Sequence, residues 1–318
     1  MDSLIFSLNS TMPVFIVMVL GYILSQIGFL SDEFINIGNK LVFKVTLPVL
    51  LFTQMASIDI YSDFDSRYVF FCAFTTSVSF FGIWILAHIF IKNKKIIGEF
   101  VQASYRSSAA ILGAAYITNI YGNAGMLPLM MIGSVPLFNI YAVLVLTLES
   151  PQQVKDGQLK KRLLNAFVNI LKNPIIDSIA LGLVSSALRL KFPVLVNKSM
   201  SSVASMTTPL SLIAIGGSFS AKNMFRSIKY TTVVSTIKLL VLPAIFLPIA
   251  VKLGFTDQKL VALMVMLGGC STPTCYVMAQ NMGHEGTLSS GAVVMTTLFS
   301  TVTLTFWIFI ARVLGYII

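Results

Sequence analysis

Apolar segments long enough to cross a bilayer recur along this whole chain, and they decide what it can fold into. A bilayer core takes about 20 mostly apolar residues per helix. Ten segments reach that length: residues 5–29, 34–56, 68–91, 98–121, 127–148, 163–189, 193–218, 228–252, 257–282 and 287–315. The eighth and tenth are the clearest. Of the 318 residues, 56% are hydrophobic and only 11% charged, against about 25% charged in a soluble domain. The pattern predicts an all-α polytopic membrane protein with ten transmembrane helices.

The net charge of +10 does not point to nucleic acid, because the basic residues are scattered through short connections. They read as membrane orientation. The third, fifth and seventh connections carry Lys92, Lys94, Lys95, Lys155, Lys160, Lys161, Arg162, Lys222, Arg226 and Lys229. The even connections carry only Arg67, Arg189, Lys191, Lys252 and Lys259. The odd connections are therefore expected in the cytoplasm, and both termini outside a cell membrane. The start MDS lacks the basic region of a cleavable signal, and the apolar run after it is too long for one. It reads as a retained first span. Cys72, Cys270 and Cys275 have no zinc-ligand spacing, and His88 and His284 are far apart in sequence. No metal or cofactor is expected.

Shifted by 161 residues, the sequence meets itself. Pro13 falls on Pro174, Leu20-Gly21 on Leu181-Gly182, Thr46 and Pro48 on Thr207 and Pro209, Gly122 and Gly125 on Gly283 and Gly286. Each half holds five spans, an odd number, so the second half enters the membrane from the opposite side. The expectation is two inverted five-helix repeats, residues 1–154 and 162–318, joined by a cytoplasmic linker at 155–161. Such repeats are a mark of secondary transporters.

The stretch LGGCSTPTCYVMAQNMG, residues 267–283, sets small polar residues and a proline inside the ninth span. Its partner under the offset is RSSAAILGAAYITNIYG, residues 106–122, in the fourth. Pro273 lacks an N–H and frees the carbonyl of Gly269. Ser271, Thr272, Thr274 and Cys275 can re-satisfy that backbone or face a ligand. Non-helical backbone at this depth is tolerated where protein buries it or where it lines a cavity. Broken, crossing helices four and nine are expected, with half-helix N-termini offering partial positive charge to an anion.

TLPVLLF (46–52), KNP (172–174), TTPLSLIAIGG (207–217), KLLVLP (238–243) and STPTCYVMAQNMG (271–283) resemble the auxin efflux carrier family of membrane transporters. Its bacterial branch includes carriers ascribed to malonate. The resemblance implies a scaffold of spans one, two, six and seven, a mobile transport domain of spans three to five and eight to ten, elevator-like movement, and dimerisation through the scaffold. The short loop after span five is similar to that of prokaryotic members. The chain departs from the family where Ser107 and Ser108 replace a usual asparagine, where Ala114 and Ala115 follow Gly113, and at Val277.

Ionisable residues at membrane depth are functional candidates. Arg106, beside Ser107 and Ser108, could neutralise a carboxylate bidentately or snorkel to the interface. Lys238 reads as a structural partner or a snorkelling side chain. Asp177 is a candidate proton site, or an ion pair with Lys40 or Lys44. Asn119 and Gln280 coincide under the offset, so they are candidates for a coupling ion or for helix-end caps. Asn139 and the crossover residue Gly113 join the substrate candidates Arg106, Ser107, Ser108, Thr272, Pro273, Thr274 and Cys275. Pro48 and Pro209 read as scaffold kinks.

The reading is a secondary active carrier of a small organic anion, with proton or sodium coupling. A uniporter, a carrier of another small molecule and a ligand-binding sensor are the alternatives. No Ser–His pairing, HExxH or paired aspartates suggest an enzyme. Cysteine-accessibility mapping should label the 155–161 loop only from the cytoplasm and both termini only from outside; a cytoplasmic amino terminus would break the inverted-repeat assignment.

Overall fold

The computed structural model describes residues 16–57, 65–108, 117, 120–121, 126–150, 168, 173–217 and 221–317. Among these, the regular structure is entirely helical. In chain order the helices are α1 (Ile16–Gln26), α2 (Asp32–Leu41), α3 (Leu47–Ala56), α4 (Ser66–Phe90), α5 (Ile97–Tyr105), α6 (Leu127–Leu148), α7 (Pro174–Ala187), α8 (Val194–Ser205), α9 (Thr207–Gly217), α10 (Ala221–Thr236), α11 (Leu242–Lys252), α12 (Asp257–Gly268), α13 (Thr274–Asn281) and α14 (Thr287–Val313).

Four helical runs are long and apolar enough to cross a membrane: Asp32–Ala56, Ser66–Phe90, Leu127–Leu148 and Ile228–Lys252. A fifth, Thr287–Val313, qualifies when its two bent halves are taken as one. These match the predicted second, third, fifth, eighth and tenth segments to within two residues. The molecule is thus a polytopic membrane protein. The predicted first, fourth and sixth segments run beyond the described residues, and the ninth is divided between Gly268 and Thr274. The seventh is divided at Met206, between α8 and α9, three residues before Pro209, where the sequence reading expected a kink.

Two of the long runs contain a π turn. Val42–Thr46 joins α2 to α3, and Ile237–Val241 joins α10 to α11. Each lies just before a proline, Pro48 or Pro243, in the first turn of the next helix. Proline cannot donate to the carbonyl four residues back, and its ring crowds that carbonyl. A π turn absorbs the misfit without ending the helix. Helix starts are capped in the usual way. Ser31 Oγ accepts from Phe34 N–H at 3.1 Å, and Asp65 Oδ1 from Tyr68 N–H at 3.0 Å. Lys259 also reaches Asp65, at 2.7 Å. That ammonium holds the Asp65 carboxyl below the ordinary carboxylate range.

On α4, Phe70, Phe74, Val78, Phe81, Ile85 and Ile89 are exposed and lie on one helical face. At 1.5 Å per residue this belt is about 28 Å tall, close to the ~30 Å hydrocarbon core. The opposite face packs on α6, where Phe80 stacks on Tyr141 with ring centroids 4.4 Å apart.

Two glycines let helices touch backbone to backbone. A Cβ at Gly21 of α1 would lie 2.5 Å from the Ile213 carbonyl oxygen of α9. One at Gly182 of α7 would lie 2.8 Å from the Phe52 carbonyl oxygen of α3. Gly21 and Gly182 are 161 residues apart, and so are Phe52 and Ile213. The same contact is made twice, with the halves exchanging roles. Gly21→Val and Gly182→Val should each cost about 1–3 kcal/mol by overpacking, seen as a lower thermal midpoint of the purified protein; unchanged midpoints would mean that these contacts do not hold the helices together.

Candidate functional site

The site grows from two helix ends. α5 stops at Tyr105, and Arg106 is extended at φ −79° and ψ 128°. α12 stops at Gly268, Gly269 is extended at φ −72° and ψ 161°, and α13 restarts after Pro273. The carbonyls of a last helical turn have no partner within the helix, and a buried, water-poor interior leaves them costly.

Here the two ends satisfy each other. Ser108 N–H donates to the Cys270 carbonyl at 2.9 Å. Ser107 Oγ donates to the Val265 carbonyl at 2.9 Å, and Ser271 Oγ to the Ala103 carbonyl at 2.7 Å. Gln102 Nε2 donates to the Cys275 carbonyl at 2.8 Å. Lys238, in the π turn before α11, has no exposed surface. Its Nζ donates to the Tyr105 carbonyl at 2.8 Å and the Met266 carbonyl at 3.3 Å. Of the two readings of Lys238, snorkelling fails and the structural partner stands. Its Nζ sits where two helix dipoles present their negative ends.

Against these breaks lies a tight cleft of about 50 Å³, room for a few water molecules. One wall carries Arg106, Ser107, Ser108, Asn139, Thr272, Pro273 and Thr274. The facing wall carries Gln54 from α3 and Thr207, Thr208 and Ser211 from α9. Leu47, Leu50, Leu51, Val135 and Phe138 supply apolar surface. Arg106 is only 4% exposed. Its Nη2 donates to Asn139 Oδ1 and its Nη1 to Met278 Sδ, both at 2.7 Å. Asn139 Nδ2 is held by the Val135 carbonyl at 2.8 Å, which aims Oδ1 at the guanidinium. Among the described residues no carboxylate pairs with Arg106. On the facing wall Gln54 Oε1 and Thr207 Oγ1 are buried without a partner among the described residues.

The expected site residues separate accordingly. Arg106, Ser107, Ser108, Asn139, Thr272, Pro273 and Thr274 come together, with the Thr272 and Thr274 hydroxyls 3.1 Å apart. Cys275 is buried behind the cleft, and its N–H donates to the Thr272 carbonyl. Gly113 and Asn119 lie outside the described residues. Gln280 donates to the Glu285 carbonyl in the turn after α13 and does not line the cleft. Asp177 is exposed in the first turn of α7, and no ion pair joins it to Lys40 or Lys44. Pro48 follows its π turn, and Pro209 follows the Met206 break. Each stands in the first turn of a helix, and their neighbours Leu47, Thr207 and Thr208 line the cleft.

Sequence reading missed Gln54, Thr207, Thr208 and Ser211, although an amide in LLFTQMA and three hydroxyls in TTPLS stand out in apolar runs. It also missed Glu99, buried on α5, whose Oε1 and Oε2 accept from Gly286 N–H and Ser289 N–H, each at 2.9 Å, capping α14. Among the described residues no group of three or more His, Cys, Asp or Glu could hold a metal ion.

A family model described as "Membrane transport protein" matches residues 6–308. The chain belongs to this family, that of the auxin efflux carriers. Curated relatives in the family agree in length. The chain is 25% identical over 325 residues to the uncharacterized transporter YfdV of Escherichia coli K12, covering 98% of this chain and 100% of the relative. It is 22% identical over 309 residues to an uncharacterized transporter of Methanothermobacter thermautotrophicus, covering 95% and 97%. The family model and both relatives are named as transporters.

The helix-end bonds make an asymmetric prediction. The Val265 carbonyl also accepts from Gly269 N–H at 3.0 Å, whereas the Ala103 carbonyl has Ser271 alone among the described residues. Ser271→Ala should therefore cost about 1–3 kcal/mol, the scale of an unmet buried acceptor, and Ser107→Ala clearly less. Thermal unfolding of the two variants side by side checks the order.

Proposed function

We propose that this protein is a secondary carrier of a small organic anion, a mono- or dicarboxylate, working by elevator-type alternating access. One observation carries the reading: Arg106 is buried at the cleft and has no acid paired with it among the described residues. A buried guanidinium without a counter-charge is costly, and a carboxylate fits its fork in two parallel hydrogen bonds. The first residues of α13 add the partial positive charge of a helix start. Thr207 Oγ1 offers a donor from the facing wall, while Gln54 Oε1 suits a hydroxyl of the ligand or a water molecule.

The repeat-related glycine contacts and the mutually bonded helix ends support the inverted repeat and the crossing of helices four and nine. In this reading the Arg106 wall belongs to the mobile transport domain and the Gln54–Thr207 wall to the scaffold. The substrate lies where one slides on the other. The exposed position of Asp177 and the turn contact of Gln280 leave the coupling ion, proton or sodium, to be settled by transport. In this reading the protein works in a cell membrane, and the family resemblance favours a homodimer through the scaffold.

Counterflow in proteoliposomes with labelled malonate, other dicarboxylates and indole acetate tests this directly. Saturable exchange should fall at least about tenfold in Arg106→Ala, the scale of one charge-assisted hydrogen bond. Exchange unchanged in that variant would make Arg106 structural, and no exchange of any carboxylate by folded protein would remove the substrate class.

A further inference from the structure

The two broken helices end at one place, and that place is built to hold a cation. The C-termini of α5 and α12 both bring carbonyl oxygens and negative dipole ends to it. In carriers made of broken helices, carbonyls at half-helix ends coordinate the coupling ion. Here the position holds Lys238. Its Nζ lies 2.8 Å from the Tyr105 carbonyl and 3.3 Å from the Met266 carbonyl, one from each end, and the residue has no exposed surface. No carboxylate among the described residues pairs with it. The π turn that carries Lys238 is set by Pro243.

We propose that the Lys238 ammonium is a tethered cation that fills the place of an alkali-metal ion, so that the protein moves its anion without binding sodium at the helix ends. The coupling part of this inference rests on the carrier reading above; the cation site itself does not. Lys238 is a positioning residue. It neutralises the two helix ends, fixes where α5 stops and thereby sets Arg106 at the cleft. Its charge is covalently attached, so it stays with these helices through every conformation.

The test uses the full chain, purified in nanodiscs, with sodium chloride exchanged for choline chloride at constant ionic strength. The wild-type thermal midpoint should be the same in both salts. Lys238→Met, which keeps volume and drops charge, should melt at least about 5 °C lower. Lys238→Ala should regain at least half of its loss with sodium or propylammonium, and nothing with choline or neutral propanol. A purely structural side chain would not show that selectivity. The proposal is overturned if Lys238→Met melts with the wild type, if propanol rescues Lys238→Ala as well as propylammonium does, or if sodium stabilises the wild type. Should both neutral variants fail to fold, the wild type still decides. Carboxylate counterflow should persist in sodium-free choline medium, and exchange that requires sodium sinks the proposal. If no carboxylate exchanges in any medium, the carrier reading fails while the thermal arm still decides the cation site.

Discussion

A helix that stops in a buried interior leaves carbonyl oxygens with no water to meet them. Much else in this structure follows from how those of α5 and α12 are met. The two ends lie against each other, and residues from each break serve the other: Ser107 bonds Val265, Ser271 bonds Ala103, and Ser108 bonds Cys270. Such reciprocity needs close approach, which explains the small residues at 268–271. A Cβ on Gly269 would meet the Ser107 hydroxyl at 2.8 Å. Once the ends are pinned, Arg106 leaves the helical path and its guanidinium meets Asn139. The position of Arg106 at the cleft is thus a product of backbone accounting in the residues beside it.

The facing wall obeys a different rule. Gly21 against Ile213 and Gly182 against Phe52 bring four helices into backbone contact, which favours a stiff surface. The polar groups on that surface, Gln54 and Thr207, keep buried atoms without partners among the described residues. One wall is held by internal bonds and the other holds bonding capacity in reserve.

Much of this was legible in the sequence, for identifiable reasons. Helix length in lipid is a counting problem, so the five long runs fell within two residues of their predicted ends. Prolines and glycines at a fixed offset pointed to a repeat, because their backbone roles admit few substitutes, and the Gly21–Ile213 and Gly182–Phe52 contacts are related by that same offset. The convergence of Arg106, Ser107, Ser108, Asn139, Thr272 and Thr274 was also readable, since small polar residues rarely interrupt apolar runs without cause. What was hidden depends on where side chains point. Asp177, counted inside a span, stands exposed in the first turn of α7, four residues after its Asn173 cap, a side-chain direction that the sequence does not carry. Gln54 and Thr207 looked like ordinary interior polarity until two helices brought them to one cleft. The break at Met206 follows from Pro209, which cannot donate to the Ser205 carbonyl; the sequence marked it as a kink and not as a full division.

The apolar belt on α4 sets a thickness. Phe70 to Ile89 match the hydrocarbon layer when the helix sits at one depth. Any travel of α4 along the membrane normal would push rings into the headgroups at one edge and draw polar residues inward at the other. Tilting or local thinning can absorb that misfit, at fractions of a kcal/mol per Å. The surrounding lipid therefore resists any such travel as a spring would. Acyl-chain length becomes a variable that sets the depth at which α4 rests.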